Sequence, residues 1–294
     1  MMPFIHIGPI TLASFGICVG VAMLISYFVL AKDMQRRGIH APADMLVAVP
    51  CIAGLIGAKL YHVLETPRDL FADPRLLISQ YGFAWFGGFL GGFIAFVWLA
   101  RKYRIPLLEI FDAAAPAAAL GYGIGRIGCL ISGDGDYGIP TSLPWGMSFP
   151  HGLVPTTQRV HPTPIYELIV AIFIFWWLWR VGGRQARARF SPGNSSPTSK
   201  RAKISESAAQ KNLTKISRDE KNAPPRGTVF AQYLILTGVA RFLVEFIRIN
   251  PRSFFGMTNA QAASLASIIL GVAMIWRLRK RPAAESSLPQ RQVR

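Results

Sequence analysis

Apolar residues come in long runs along this chain, separated by short polar segments and by one long one. A helix needs roughly 20 mainly apolar residues to cross about 30 Å of hydrocarbon. Runs of about that length cover 10–31, 45–65, 83–100, 106–131, 165–180, 229–248 and 260–278. The pattern predicts an all-α, polytopic integral membrane protein with about seven transmembrane helices. The opening MMPFIHIGPITL has neither a basic segment nor a small-residue cleavage site, so the first run is expected to stay as a span. Residues 1–181 then form spans one to five, with a loop at 132–164, and 229–279 form spans six and seven. Between them, 182–228 is rich in Ser, Lys and Pro and nearly devoid of large apolar side chains, the composition of a disordered insert. Residues 280–294 are expected to form a basic tail.

Charge gives the runs a direction. Lys and Arg outnumber Asp and Glu by 32 to 15, and cytoplasmic loops carry the Lys and Arg excess. Segments 32–44, 101–105, 180–228 and 277–294 hold 3, 3, 12 and 6 basic residues, whereas 66–82, 132–164 and 249–259 hold 2, 1 and 1. The expected topology is therefore N-terminus outside and C-terminus in the cytoplasm, with 182–228 a cytoplasmic insert. Because the excess sits between apolar runs and not on one surface, nucleic acid is not an expected partner. With 51% hydrophobic residues and a mean hydropathy of +0.33, lipid is the solvent. Cys18, Cys51 and Cys129 lack CxxC spacing, the histidines lack metal-ligand spacing, and no GxGxxG follows a strand. No metal or cofactor is expected.

Ionisable residues inside a span are functional candidates because hydrocarbon penalises them. On this topology Lys59, His62 and Glu65 fall in the outer third of the second span. Arg126 lies in the last turns of the fourth, with Asp134 and Asp136 just beyond. His161, Tyr166 and Glu167 open the fifth, and Arg241, Glu245 and Arg248 close the sixth at i, i+4 and i+7 on one helix face. Four spans thus deliver charge to one level, the outer face. Guanidinium groups suit a phosphodiester oxygen pair, so an outer-leaflet phospholipid phosphate is the natural ligand. Arg248 alone is also compatible with snorkelling to the headgroups. Asp134 and Asp136 also suit a turn, His161 a loop anchor, and the third-span glycines, Gly87 and Gly88 among them, either helix packing or room for a lipid. Glu109 and Asp112, near the start of the fourth span, read as packing residues, and Trp176, Trp177 and Trp179 as an inner aromatic belt.

In order, GRIGCLISGDGDYG, HPTPIYE and RFLVEFIR resemble the prolipoprotein diacylglyceryl transferases of bacterial membranes, with IGPITLASFG, GAKLYHVLE and WFGGFLGG as supporting fragments. The resemblance covers the spans and leaves out 182–228 and the tail. It implies a transferase of the bacterial inner membrane with its active site toward the outer face. Its substrates would be phosphatidylglycerol and a prolipoprotein whose signal peptide carries a lipobox cysteine; the diacylglyceryl group moves to the thiol and glycerol phosphate leaves. By similarity Arg126 matches the signature arginine, Arg241 and Glu245 the sixth-span pair, Gly138 the closing glycine and Tyr166 the tyrosine after the HP motif. Asp134 stands near a usual glutamate, with Asp136 the alternative. Taken together, the charge pattern and the resemblance give Arg126, Arg241, Glu245, Asp134 and His161 as candidate catalytic residues, and Arg126, Arg241, Arg248, Asp136, Gly138, Tyr166, Glu167, Gly87 and Gly88 as candidate substrate-binding residues.

Three positions depart from the pattern. Phe15 replaces a usual tyrosine, Phe86 a frequent histidine and Cys129 an asparagine. If that histidine is the base elsewhere, proton removal falls here to His161, which is preferred, to an acidic residue, or to water in the arginine field. Cys129, beside Gly128, reads as a small packing residue. A paralogue with another acceptor, and a lipid or anion transporter, remain as alternatives; a transporter calls for polar residues through the full membrane depth.

Overall fold

The computed structural model describes residues 2–8, 10–65, 84–190, 224–252 and 255–280. Among these are seven helices: α1 (Ser14–Arg36), α2 (Ala43–Glu65), α3 (Trp85–Lys102), α4 (Leu107–Ser132), α5 (Thr163–Phe190), α6 (Thr228–Val244) and α7 (Asn259–Lys280). α1, α2, α4, α5 and α7 are long and apolar enough to cross a membrane by length and composition. α3 has 18 residues and α6, also apolar, has 17. Apolar side chains such as Phe28, Leu64, Phe173 and Ile269 are more than half exposed while Asp33, Arg37, Asp112 and Glu245 are buried. That inversion of a water-soluble surface is the mark of a polytopic membrane fold.

Two short antiparallel hairpins accompany the helices. β1 (Phe4–Ile7) pairs with β2 (Ile10–Ala13), Phe4 opposite Ala13, and β3 (Met147–Phe149) pairs with β4 (Thr156–Val160). The first span was expected from residue 10; Ile10–Ala13 is instead a strand, and the helix starts at Ser14 and runs to Arg36. Ser14 anchors that corner, its N–H and Oγ both donating to Pro3 O at 3.0 Å. The loop at 132–164 has a core of its own, in which Tyr137 stacks on Phe149 over Val160.

The fifth helix outruns its apolar run by ten residues, into the expected insert. Residues GGRQARARF are polar, yet Gln, Ala and Arg favour helix, and Gln185 and Ala186 are buried. Residues 191–223 of the expected insert, the expected tail 281–294, and 66–83, the loop with the first residue of the expected third span, lie outside the described residues. The sixth helix stops at Val244, and Arg248 instead forms a β-bridge with Gly138.

α4 is the central element. Its AAAPAAALGYGIG stretch has small side chains that let neighbours close in, and Ala113, Ala115, Ala117 and Ala119 are buried. A Cβ on Gly123 would lie 2.8 Å from Ala171 of α5. At the start of α4, Asp112 caps α6 from outside: Gly227 N–H and Phe230 N–H donate to its carboxylate at 2.7 and 2.8 Å. Gln185 Nε2 donates to the same carboxylate at 2.9 Å, and Arg226 Nε pairs with Glu109 at 3.3 Å. At this end Arg36, Lys102, Arg180 and Lys280 lie over Trp179, Trp98, Trp176 and Trp276, at 3.6 to 5.0 Å from the rings. The ends of α4 and α6 and the start of α5 meet at the opposite end of the bundle.

Candidate active site

The last turns of α4 carry Tyr122 and Arg126, four residues apart and so on one face. Arg126 Nη2 donates to Tyr122 Oη at 2.9 Å, and its guanidinium lies 4.7 Å from the Tyr122 ring centre. Tyr122 Oη donates to Glu167 Oε1 at 2.7 Å. Glu167, in the first turns of α5 and 6% exposed, is the hub of the site. Arg241 Nη1 donates to Oε1 at 3.1 Å, while Arg126 Nε and Arg248 Nη1 stand 3.0 and 3.6 Å from Oε2. Arg241 Nη2 is 3.0 Å from Glu245 Oε2, and Asn250 Nδ2 donates to Glu245 Oε1 at 2.6 Å. Asp136 joins Arg126 to Arg248, accepting from both.

Three arginines and three carboxylates are therefore interlocked at the junction of α4, α5 and α6. The expectation of a single helix face for Arg241, Glu245 and Arg248 holds for the first two. Arg248 reaches the cluster from beyond the helix, because its bridge to Gly138 and the bond from Ile139 N–H to Ile247 O turn the chain back. Its side chain is only 6% exposed and does not snorkel to a headgroup. Arg126 and Arg241, 15% and 25% exposed, present the open guanidinium surface. Arg126 Nε and Arg248 Nη1 are buried against Glu167 without hydrogen-bond alignment, so these two contacts act through charge.

The GDGDYG turn shapes the rim. Gly133 ends α4 in the left-handed region at φ 59°, where an L side chain is strained, and packs against Gly152. A Cβ on Gly138 would lie 2.9 Å from His161 Cβ and 3.1 Å from Thr163 Cγ2, and Gly138 N–H donates to His161 O at 2.8 Å. Asp134 Oδ1 accepts from Asp136 N–H at 3.2 Å. Burial, reinforced by the charge of Asp136, pushes the Asp134 carboxyl above its usual range. Burial also acts on Asp136, but Arg248 and Arg126 outweigh it and hold that carboxyl below the usual range. His161 Nδ1 and Tyr166 Oη are 3.2 Å apart, and Trp145 Nε1 donates to Tyr166 Oη at 2.8 Å.

The cluster unites Arg126, Arg241, Arg248, Asp136, Glu167 and Glu245 of the expected residues, with Asp134, Gly138, His161 and Tyr166 along the adjoining turn. Gly87 and Gly88 are used elsewhere. Gly87 is pressed against Gly57 and Tyr61, and a Cβ on Gly88 would lie 3.4 Å from Ala58 Cβ, so both serve the α2–α3 contact. Phe86 is 58% exposed and edges onto Trp85, while Phe15 packs on Gly128. Tyr122 joins the cluster without having been expected from the sequence; its i, i+4 spacing to Arg126 was the available signal. Cys129 is buried as expected, with Arg126 Nη1 at 3.6 Å from its Sγ.

The family model described as prolipoprotein diacylglyceryl transferase matches residues 3–195 and 212–277. The chain belongs to that family. The match runs further into the expected insert than the motifs reach, leaving 196–211 between its two parts. A phosphatidylglycerol–prolipoprotein diacylglyceryl transferase of Clostridium tetani is 28% identical over 266 residues, covering 88% of this chain and 90% of its own length. Enzymes of the same name from Leptospira interrogans and Nitrosospira multiformis are each 29% identical. They cover 85% and 94% of this chain and 78% and 86% of their own lengths. Arg126, in RIG on α4, and Arg241, in RFLVE on α6, both lie within the matched residues.

Proposed function

We propose that this chain transfers the diacylglyceryl group of phosphatidylglycerol to the thiol of a lipobox cysteine in a prolipoprotein signal peptide, at the outer face of the bacterial inner membrane. The observation that carries this reading is the Arg126 and Arg241 pair, partly open and held from behind by Glu167, in a chain of this family. The phosphodiester lies on these two guanidiniums, and Arg248, buried, holds Asp136 and Glu167 in place. A bond forms between the cysteine sulfur and the glyceryl carbon as that carbon's bond to phosphate oxygen breaks. The electron pair leaves on glycerol phosphate, whose growing charge the arginines stabilise.

The thiol proton needs an acceptor, because only a few per cent of a thiol with pKa near 8.5 is ionised at neutral pH. Asp136, Glu167 and Glu245 are all tied to arginines. Asp134 has no arginine ion pair among the described residues and a raised affinity for protons. The reading assigns the proton to Asp134, in place of the His161 preferred from the sequence. His161 is held by Tyr166 and orders the rim.

The outward orientation is supported by the four cation–tryptophan pairs at the end away from the site, on the side that the basic loops mark as cytoplasmic. Membranes containing the chain are expected to convert a lipobox peptide to its diacylglyceryl form when given phosphatidylglycerol. Arg126→Ala and Arg241→Ala should each lower the rate by about 100-fold or more, as removal of a preorganised oxyanion donor does. Normal conversion by both variants would reject the site. Failure of the well-expressed wild type to rescue a transferase-depleted bacterium would point to another acceptor.

A further inference from the structure

The end of the bundle away from the transferase site holds a second group of arginines that the transfer reaction does not use. Arg36 and Arg37, where α1 ends, share one carboxylate, that of fully buried Asp33. Arg37 Nη1 donates to Gln185 Oε1 at 2.6 Å, and Arg36 Nη1 donates to Trp179 O at 3.1 Å. After these bonds Arg36 Nη2 and Arg37 Nη2 remain buried with no hydrogen-bond partner. A Cβ on Gly182 would lie 2.8 Å from each of those two nitrogens. One on Gly183 would lie 3.2 Å from Arg36 Nη1 and 3.8 Å from Arg187 Nη2. Three guanidiniums therefore converge over the Gly182-Gly183 step of α5, and beside it lies a cavity of about 300 Å³ lined by Arg36, Gly183, Ala186 and Arg187.

The contrast with the transferase site is decisive. There three arginines meet three carboxylates, whereas here three meet one among the described residues. The nearby acids are engaged elsewhere, Asp112 at the start of α6 and Glu109 with Arg226. Asp112 and Glu109 still attract Arg37 through space, but Arg36 faces the like charges of Arg37 and Arg187, and these with the unpaired N–H groups call for an anionic acceptor with several oxygens. Planar guanidinium donors match a phosphate's oxygen pairs bidentately. The tryptophans under Arg36 and Arg180 put the cavity at the level of the lipid headgroups. We propose that this cavity is a second anion site that binds a phosphate group, carried by a phospholipid headgroup or free in solution, apart from the site of transfer.

Arg187 is exposed and makes its described hydrogen bond only to Gly183 O of its own helix, at 3.3 Å, so Arg187→Gln tests the site without unpacking the bundle. Exposed Arg184, outside the cavity lining, supplies the control Arg184→Gln. The full chain in detergent would be titrated with phosphatidylglycerol, with phosphatidylcholine and with inorganic phosphate, using native mass spectrometry for lipid and calorimetry for phosphate. Arg187→Gln should weaken one of the phosphatidylglycerol binding events about tenfold, as for one lost charge-assisted contact, with the transferase event and Arg184→Gln unchanged. Loss confined to the lipid arm assigns a headgroup, and loss in the phosphate arm assigns a free anion. Equal binding by wild type, Arg187→Gln and the double variant Arg36→Gln/Arg187→Gln in every arm would overturn the proposal. Transfer activity of Arg187→Gln, expected to stay at the wild-type rate, separates this result from any failure of the transferase reading.

Discussion

Asp134 and Asp136 stand two residues apart, and their surroundings push them in opposite directions. Asp136 faces two arginines and stays ionised through the ordinary carboxylate range. Its ion pairs therefore contribute stability above the unfolded pKa, which is lost only as pH falls through the lower folded value. Asp134 is half-buried beside that charge, so its proton is released at a higher pH than the usual 3.8. If Asp134 receives the thiol proton, it must be ionised in the resting site. The rate should then fall as pH drops through this raised value, giving an acid limb above the ordinary carboxylate range. Asp134→Asn should remove that limb and lower the rate by about 100-fold, within the span typical of general bases. A full pH profile of lipobox conversion checks this; an unchanged acid limb in the variant would return the role to His161.

Helix ends hold the balance of this fold. α6 opens on Gly227 with no side-chain cap of its own, and Asp112 of α4 satisfies two of its first N–H groups from across the bundle. Asp112→Ala should lower thermal stability by about 2 kcal/mol, at the upper end for a lost cap, since buried donors are left unmet. Asp112→Asn keeps one acceptor oxygen and should lose less, which thermal unfolding in detergent would rank. The spans were legible because hydrophobic length is a one-dimensional property, and the starts of α2, α3, α4 and α6 fall within two residues of expectation. The misses share a cause. Ile10–Ala13 is apolar but pairs as a strand, and Gly182–Phe190 is polar but helical, so hydropathy misjudged both ends where backbone pairing or side-chain packing decides. The site's membership was legible from charge and motif, whereas the return of Arg248 through a β-bridge depends on a contact 110 residues away in sequence, with Gly138.

Across the whole molecule the charges divide between two ends. At one end the arginines are balanced by carboxylates; at the other, basic residues at the ends of α1, α3 and α7 sit over tryptophans with few acids to match. A transporter would need polar groups through the depth between them. That depth is filled by the packing of Ala115, Ala119, Ile174, Leu178 and Val229. In the proposed orientation the basic end faces the cytoplasm, because loops rich in Lys and Arg are retained there. Ser142, exposed in the loop near the transferase site, should therefore lie outside, and Arg184, exposed on the last turns of α5, inside. With Cys18, Cys51 and Cys129 replaced, Ser142→Cys should react with a membrane-impermeant maleimide on intact cells and Arg184→Cys should not. Inside-out vesicles should reverse the pattern. Labelling of Arg184→Cys on intact cells would invert the topology and place the arginine site on the side where no translocated thiol reaches it, so this one measurement bears on orientation and substrate together.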